Sequence, residues 1–217
     1  MTDVAANLVR VREQLARAAE RAKRDPASIA LVAVSKLHDA SAIRAAYDAG
    51  QRLFGENYVQ ELDDKAHALE SLPDLAWHFI GHLQRNKVKT VLAAHPVIHT
   101  LDSERLATEI GQRAETKTSV LIQVNVAREP QKSGVAPEEL DALVRHVRAI
   151  ERLELRGLMT IPPEGRDARP HFRALRELAE RHALNELSMG MSADLDAAVE
   201  EGATLVRIGT AIFGARK

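Results

Sequence analysis

The sequence of 217 residues is long enough for one barrel-sized domain, and its 45% apolar and 28% charged residues are typical of a globular protein with one large core. Thirty Lys and Arg stand against 31 Asp and Glu, so the net charge of −1 excludes a global field that would attract nucleic acid or an anionic membrane. There is no cysteine, which excludes disulfides, thiolate metal sites and cysteine nucleophiles. A charged ligand must therefore be held by a local group of residues.

The N-terminal segment 1–25 predicts an amphipathic surface helix. It is rich in charge and lacks the uninterrupted apolar stretch of a signal peptide. No apolar run in the sequence approaches the roughly 20 residues that a membrane span requires. We therefore expect a cytoplasmic protein that does not enter the membrane.

After this helix, short apolar runs typical of strands alternate with segments of helical periodicity, such as Ile43, Ala46 and Tyr47 at i, i+3 and i+4. The strand-like runs are 29–35, 51–55, 75–81, 96–101, 119–126, 153–159, 184–190 and 204–209. Eight such strands, each followed by a helix and apolar enough to be buried on both faces, predict an α/β fold, a (β/α)₈ TIM barrel with the extra N-terminal helix packed on it. The alternative is an open doubly wound sheet. No linker or repeat divides the chain, so we expect residues 1–217 to form a single domain.

The first strand-like run ends at a lysine. Lys36 follows "LVAVS" and shares strand parity with Val32 and Val34, so its amine points into the barrel mouth if those valines fill the interior. A desolvated amine has a lowered pKa and is a nucleophile toward carbonyl groups. The alternative is a lysine that extends into solvent from a strand end.

The last two βα loops, where barrels typically build a phosphate site, contain glycine beside a helix start. Gly190 and Ser192 lie in "SMGMS", before a helix that we expect to begin at Ala193, and Gly209 and Thr210 open "GTAIFG". Backbone N–H groups and hydroxyls at such positions are available to an anion. Each loop alone is ordinary. Together, with a lysine across the mouth, they favour a phosphorylated ligand.

Arg207 lies in the otherwise apolar run 204–209. A buried charge without a partner is costly, so this arginine must contact either a structural partner, a neighbouring carboxylate or carbonyl, or a ligand. The sequence leaves both interpretations open.

The histidines raise the question of a metal site. His78 and His82 are four residues apart, as are His95 and His99, but both pairs lie on strand-like or loop segments, whereas a zinc-protease pair needs a helix with a glutamate after the first histidine. We expect no metal site. The sequence also lacks the nucleophile-elbow, P-loop and dinucleotide-binding glycine motifs.

Several longer motifs carry a family resemblance. "LVAVSK", "FGENYVQE", "WHFIGHLQRNK", "IHTLDS", "KSG", "GLMTIPP" and "LSMGMSADLDAAVEEGATLVRIGTAIFG" resemble, in order and spacing, the pyridoxal 5′-phosphate homeostasis proteins, also called the proline synthetase co-transcribed family. The resemblance covers residues 29–216. It implies a fold like the N-terminal barrel of alanine racemase.

The resemblance also implies pyridoxal 5′-phosphate (PLP) bound as a Schiff base on Lys36. It places the phosphate on Ser192, Gly209 and Thr210. It brings Arg207 to the pyridine nitrogen and Asn57, of "GENYVQE", close to the cofactor.

An arginine at the pyridine nitrogen disfavours protonation of the ring and weakens PLP as an electron sink. Alanine racemase, which the site resembles, has a second domain that supplies a tyrosine base, and because this sequence ends at Lys217 we expect that base to be missing. We therefore expect a monomeric carrier without catalytic residues, which stores, buffers or delivers PLP to apo-enzymes or amino acids. The alternatives are a low-activity PLP-dependent amino-acid racemase or related enzyme, and a binding module for a different phosphorylated aldehyde.

Overall fold

The strands of the chain form a closed barrel in a computed structural model that describes residues 3–215. The strands are β1 (Ala30–Val34), β2 (Leu53–Glu56), β3 (Ala76–Phe79), β4 (Val97–Leu101), β5 (Thr118–Gln123), β6 (Leu153–Met159), β7 (Glu186–Ser188) and β8 (Leu205–Ile208). Each strand pairs in parallel with the next, and β8 pairs with β1. The predicted (β/α)₈ barrel is confirmed, and the open sheet is excluded.

Helices follow the strands and form the outer layer. They are α1 (Val4–Arg21), α2 (Ala40–Asp48), α3 (Val59–Ala68), α4 (Val88–Ala93), α5 (Glu104–Arg113), α6 (Leu140–Arg148), α7 (Arg169–Arg181), α8 (Leu195–Glu200) and α9 (Thr210–Phe213). Side chains cap the first turn of some helices. Asp3 accepts a hydrogen bond from the N–H of Ala6 in α1, and Asp39 accepts one from the N–H of Ala42 in α2. Among the described residues, no helix is long and apolar enough to cross a membrane.

The extra helix α1 packs against α2, α8 and α9. Its buried side chains Leu8, Val11 and Leu15 recur at the spacing of one helix face. The side-chain amide of Asn7 also donates to the carbonyl of Ile212 at 2.8 Å. The predicted amphipathic helix is therefore present, although it ends at Arg21 and not at residue 25.

Side chains alternate between the helix layer and the barrel interior along each strand. Leu31 and Ala33 of β1 join the core under the helices, whereas Val32 joins a separate cluster inside the barrel with Leu121 and Met159. A Cβ added at Gly55 would lie 3.0 Å from Val32 and 3.4 Å from Val34, so both valines face the interior. This parity directs the residues that follow β1 toward the carboxyl-terminal mouth of the barrel.

Candidate functional site

The six predicted site residues lie at the carboxyl ends of four consecutive strands. They are Lys36 after β1, Asn57 after β2, Ser192 after β7, and Arg207, Gly209 and Thr210 in and after β8. The strands are aligned at this end: Val34 pairs with Gly55, and Ala33 with Ile208. The structure therefore brings all six to one side of the mouth.

Lys36 is half-buried in a tight turn directly after β1. The N–H of His38 donates to the carbonyl of Ser35 at 3.1 Å and closes the turn. The next residue, Leu37, has a left-handed backbone with φ 63, a conformation that costs a non-glycine residue about 1 kcal/mol or more. Its N–H donates to Oε2 of Glu61 at 2.7 Å. This bond from α3 holds the strained turn that carries Lys36.

A buried ionic cluster lies behind the same turn. Nζ of Lys65 donates to Oε1 of Glu56 at 2.8 Å, to Oε2 of Glu61 at 2.7 Å and to the carbonyl of Ser35 at 2.9 Å. The hydroxyl of Ser35 donates to the same Glu56 oxygen at 2.7 Å. Burial raises the pKa of the Glu56 carboxyl, and this outweighs the hydrogen bonds from Lys65 and Ser35, which lower it.

Lys65 is a member of this site that sequence patterns did not predict. The available signal was its position on the buried face of α3, one turn after Leu62. Its partner Glu56 alternates with the interior-facing Gly55 and therefore points outward to the helix layer. The contact between Lys65 and Glu56 depends on how α3 packs on β1 and β2, and local sequence patterns do not predict this packing.

The backbone of Asn57 is closely packed, and within residues 3–215 its side-chain amide oxygen has no hydrogen-bond partner. A Cβ added at Gly81, after β3, would lie 1.8 Å from the backbone oxygen of Asn57, so the loops after β2 and β3 touch through a glycine. Within residues 3–215, the side-chain Oδ1 of Asn57 is buried and has no hydrogen-bond partner. Since buried acceptors are nearly always paired, this oxygen indicates a donor from a ligand or water.

The loop after β7 differs from the prediction in one respect. α8 begins at Leu195, not at Ala193, because Oδ1 of Asp194 accepts from the N–H of Met191 at 2.6 Å and holds residues 191–194 as a turn. Ser192 is exposed in this turn. Gly190 has φ +94, and a Cβ there would lie 2.4 Å from that of Ala198 in α8. The glycine lets the loop lie directly on α8.

The loop after β8 lies against β1. Gly209 precedes α9, and a Cβ on it would lie 3.1 Å from the backbone oxygen of Val34. Thr210 is exposed at the first position of α9. Within residues 3–215, neither its N–H nor its hydroxyl makes a hydrogen bond, and the same holds for Ser192. Two hydroxyls and two N–H groups on neighbouring loops are thus available to an anion.

Arg207 is 5% exposed and lies inside the barrel. Its Nη1 donates to Oγ of Ser188 at 2.6 Å, and its Nη2 donates to the carbonyl of Thr160 at 3.0 Å. In the described part of the chain, no carboxylate lies within ion-pair distance of it, although the charge of Asp194 acts on it and raises its pKa. Burial lowers the pKa of the guanidinium to about 10, so it stays charged at neutral pH. Of the two kinds of structural partner that the sequence allowed, a carbonyl, that of Thr160, contacts Arg207, and no carboxylate of residues 3–215 lies within ion-pair distance.

Two buried histidines adjoin this arginine. His99 Nδ1 lies 2.8 Å from the hydroxyl of Ser188, and His99 Nε2 lies 2.7 Å from Nδ1 of His78. The spacing of both histidines in the sequence raised only the question of a metal site. Their signal was strand parity, since His78 lies between the outward-facing Trp77 and Phe79. Residues 3–215 contain no group of three or more side chains that could hold a metal ion.

Comparison with known proteins agrees with this geometry. Residues 6–217 match the model of the alanine racemase N-terminal domain. The alanine racemase of Corynebacterium glutamicum shares the fold with a TM-score of 0.72 at 18% identity over 99% of this chain and 60% of that one.

Other relatives are much more similar. The pyridoxal phosphate homeostasis protein of Escherichia coli K12 is 46% identical over 230 residues, which cover 100% of this chain and 98% of the relative. PipY of Synechococcus elongatus, solved with PLP bound, superposes with a TM-score of 0.87 at 39% identity over 97% of this chain and 100% of that one. The chain therefore belongs to the pyridoxal phosphate homeostasis proteins, within the alanine racemase N-terminal domain family.

Proposed function

We propose that this chain binds PLP at the barrel mouth as a Schiff base on Lys36 and takes part in intracellular PLP homeostasis. The observation that carries the proposal is the position of Lys36, half-buried at the end of β1, beside a buried arginine and loops whose hydroxyls make no hydrogen bond to residues 3–215. A primary amine condenses with the PLP aldehyde, and a desolvated amine does so at neutral pH.

The surrounding residues fit the other parts of the PLP molecule. Ser192 and Thr210 offer the phosphate hydroxyl and N–H donors that have no partner in the described part of the chain, and Gly209 allows close backbone approach. The buried Oδ1 of Asn57 finds no donor among residues 3–215, and a bound molecule would supply one. Arg207 would approach the pyridine nitrogen. The Synechococcus relative, which was solved with PLP bound, supports this choice of cofactor.

The charge of Arg207 argues against reactions that need PLP as a strong electron sink. A protonated guanidinium near the pyridine nitrogen disfavours a second proton on the ring, and PLP with an unprotonated ring is a weak electron sink. We propose that residues 1–217 act as a single PLP-binding domain that stores, buffers or delivers the cofactor without catalysing a reaction. Apo PLP-dependent enzymes and amino acids would be the recipients. A monomeric state and a cytoplasmic location stay predictions from the sequence.

Borohydride reduction tests the covalent bond directly. The purified protein with PLP should show a visible absorption band that disappears on reduction, and peptide mapping should find the pyridoxyl label on Lys36. Lys87, exposed at the same end of the barrel after β3, serves as the matched control and should stay unlabelled. A label on another lysine, or no label, would refute the assignment. Absence of the band after PLP addition would favour a different phosphorylated aldehyde.

The shared fold of alanine racemase keeps amino-acid racemisation as the second candidate. The loaded protein should therefore be incubated with a panel of L-amino acids in D₂O. Absence of α-proton exchange would support the carrier. Exchange at a rate useful to a cell would replace it with a PLP-dependent racemase or related enzyme.

A further inference from the structure

A chain of hydrogen bonds crosses the barrel interior and ends on Arg207. It runs from His78 on β3 to His99 on β4 at 2.7 Å, from His99 to Ser188 on β7 at 2.8 Å, and from Ser188 to Arg207 on β8 at 2.6 Å. His99 and Ser188 are each 0% exposed. Within residues 3–215, the hydrogen bonds of Arg207 go to Ser188 in this chain of bonds and to the Thr160 carbonyl, while the charge of Asp194 stabilises the guanidinium from beyond ion-pair distance.

The chemistry of arginine sets the direction of every bond in the chain. A guanidinium has only donors, so Oγ of Ser188 must accept from Arg207. The hydroxyl hydrogen of Ser188 then has Nδ1 of His99 as its acceptor, since this hydroxyl contacts no third group within residues 3–215. His99 therefore carries its hydrogen on Nε2 and donates to Nδ1 of His78. All donors point away from Arg207, and such a chain is cooperatively polarised.

Both imidazoles are neutral at neutral pH. Burial lowers the pKa of His78 to about 4 and the pKa of His99 well below its ordinary value, and the charges of Arg207 and Arg156 act on His99 in the same direction. The guanidinium is thus the one charged member of a chain of neutral acceptors. Its orientation depends on them and not on an ion pair.

We propose that His78, His99 and Ser188 are positioning residues. They hold the charged guanidinium of Arg207 in the orientation in which it would contact the pyridine nitrogen of bound PLP. They would set the affinity and the absorption spectrum of bound PLP through Arg207. This inference rests on the proposed function and extends it from the mouth to the barrel interior. A purely structural role would affect folding stability but not the spectrum.

A double-mutant cycle separates these roles. Ser188→Ala should weaken PLP binding about tenfold and shift the visible band of the bound cofactor. In an Arg207→Gln background, Ser188→Ala should change neither quantity further, because Ser188 would act only through Arg207. Additive effects of the two substitutions would overturn the positioning role. If Ser188→Ala does not fold, Ser188→Cys preserves the shape with a weaker hydrogen-bonding group and should give the same shift.

Gln51→Leu provides the matched control. Gln51 is buried just before the amino-terminal end of β2, at the opposite end of the barrel from the mouth, and its side-chain amide donates to the carbonyl of Leu31 at 2.7 Å. The substitution should lower the melting temperature while PLP affinity stays within about twofold of wild type. An equal spectral shift in this control would contradict a specific effect of Ser188.

The apo-protein gives an independent readout. Nitrogen-15 spectra of the imidazole rings should find the hydrogen of His99 on Nε2, and a hydrogen on Nδ1 would overturn the proposed direction of the chain. A wild-type protein without a PLP band would overturn the proposed function and with it this use of Arg207. A wild-type band with additive variants would overturn the positioning role alone.

Discussion

Lys65→Met tests the cluster that supports the Lys36 turn. The substitution keeps the apolar stem but removes the ammonium group that contacts Glu56, Glu61 and the carbonyl of Ser35. The side chain of Lys65 is 8% exposed and that of Glu56 is 0% exposed, so the variant leaves a carboxylate buried without its charged partner. Loss of one partner of a buried pair typically costs about 3–5 kcal/mol of unfolding free energy. We expect a loss in this range at neutral pH.

The loss should depend on pH in a defined direction. The pKa of Glu56 is already raised in the folded state, so the native protein binds this proton more tightly than the unfolded chain does. The contribution of Glu56 to stability is therefore present below its unfolded pKa and is lost as pH rises through its folded pKa. Removal of Lys65 takes away two interactions that lower this pKa and raises it further. Because this carboxyl is neutral in a larger fraction of molecules at lower pH, the loss should be smaller at about pH 5 than at about pH 8.

Urea unfolding of the apo-protein at both pH values measures this effect. Lys87→Met is the control, since Lys87 is exposed, and it should change stability by at most about 0.5 kcal/mol. Adding Glu56→Gln to Lys65→Met should restore most of the lost stability, because the buried charge is then gone. A loss below about 1 kcal/mol, or a larger loss at low pH, would refute this account of the cluster.

Three further substitutions and one control address the mouth. Lys36→Ala should abolish the visible PLP band without changing the melting temperature of the apo-protein, because the half-buried turn adds little to the core; a band that persists would contradict the Schiff base. Thr210→Ala should weaken PLP retention, measured by equilibrium dialysis, by about 0.5–3 kcal/mol, and unchanged affinity would count against the phosphate placement. Gly81→Ala should lower the free energy of unfolding in urea by about 1–3 kcal/mol and weaken PLP binding, because its Cβ would lie 1.8 Å from the oxygen of Asn57. The control Gly165→Ala has no atom within 4 Å of the added Cβ, but the φ of +70 costs alanine about 1 kcal/mol; it should leave PLP binding unchanged.

Most of the fold could be predicted from local sequence patterns. Alternation along "LVAVSK" placed Val32 and Val34 inside the barrel, and the structure confirms this parity. Helical periodicity predicted α1 and its packing on the barrel. The six candidate residues share one end because parallel strands all point their carboxyl ends the same way. The start of α8 was predicted two residues early, because the bond from Met191 to Asp194 is a local turn that competes with the helix.

The polar interior was decided by the tertiary structure. His99 and Ser188 are 89 positions apart, and their contact requires that β4 and β7 face each other across a closed barrel. The register of strand pairing also shifts between Ile98 and Leu101 on β4 and between Val120 and Leu121 on β5. No periodicity of the sequence predicts such irregularities. Sequence alone thus determined which side chains alternate and where strands end, since these follow from backbone geometry. Which buried polar groups meet depended on register and helix docking, since those are set by packing the whole barrel at once.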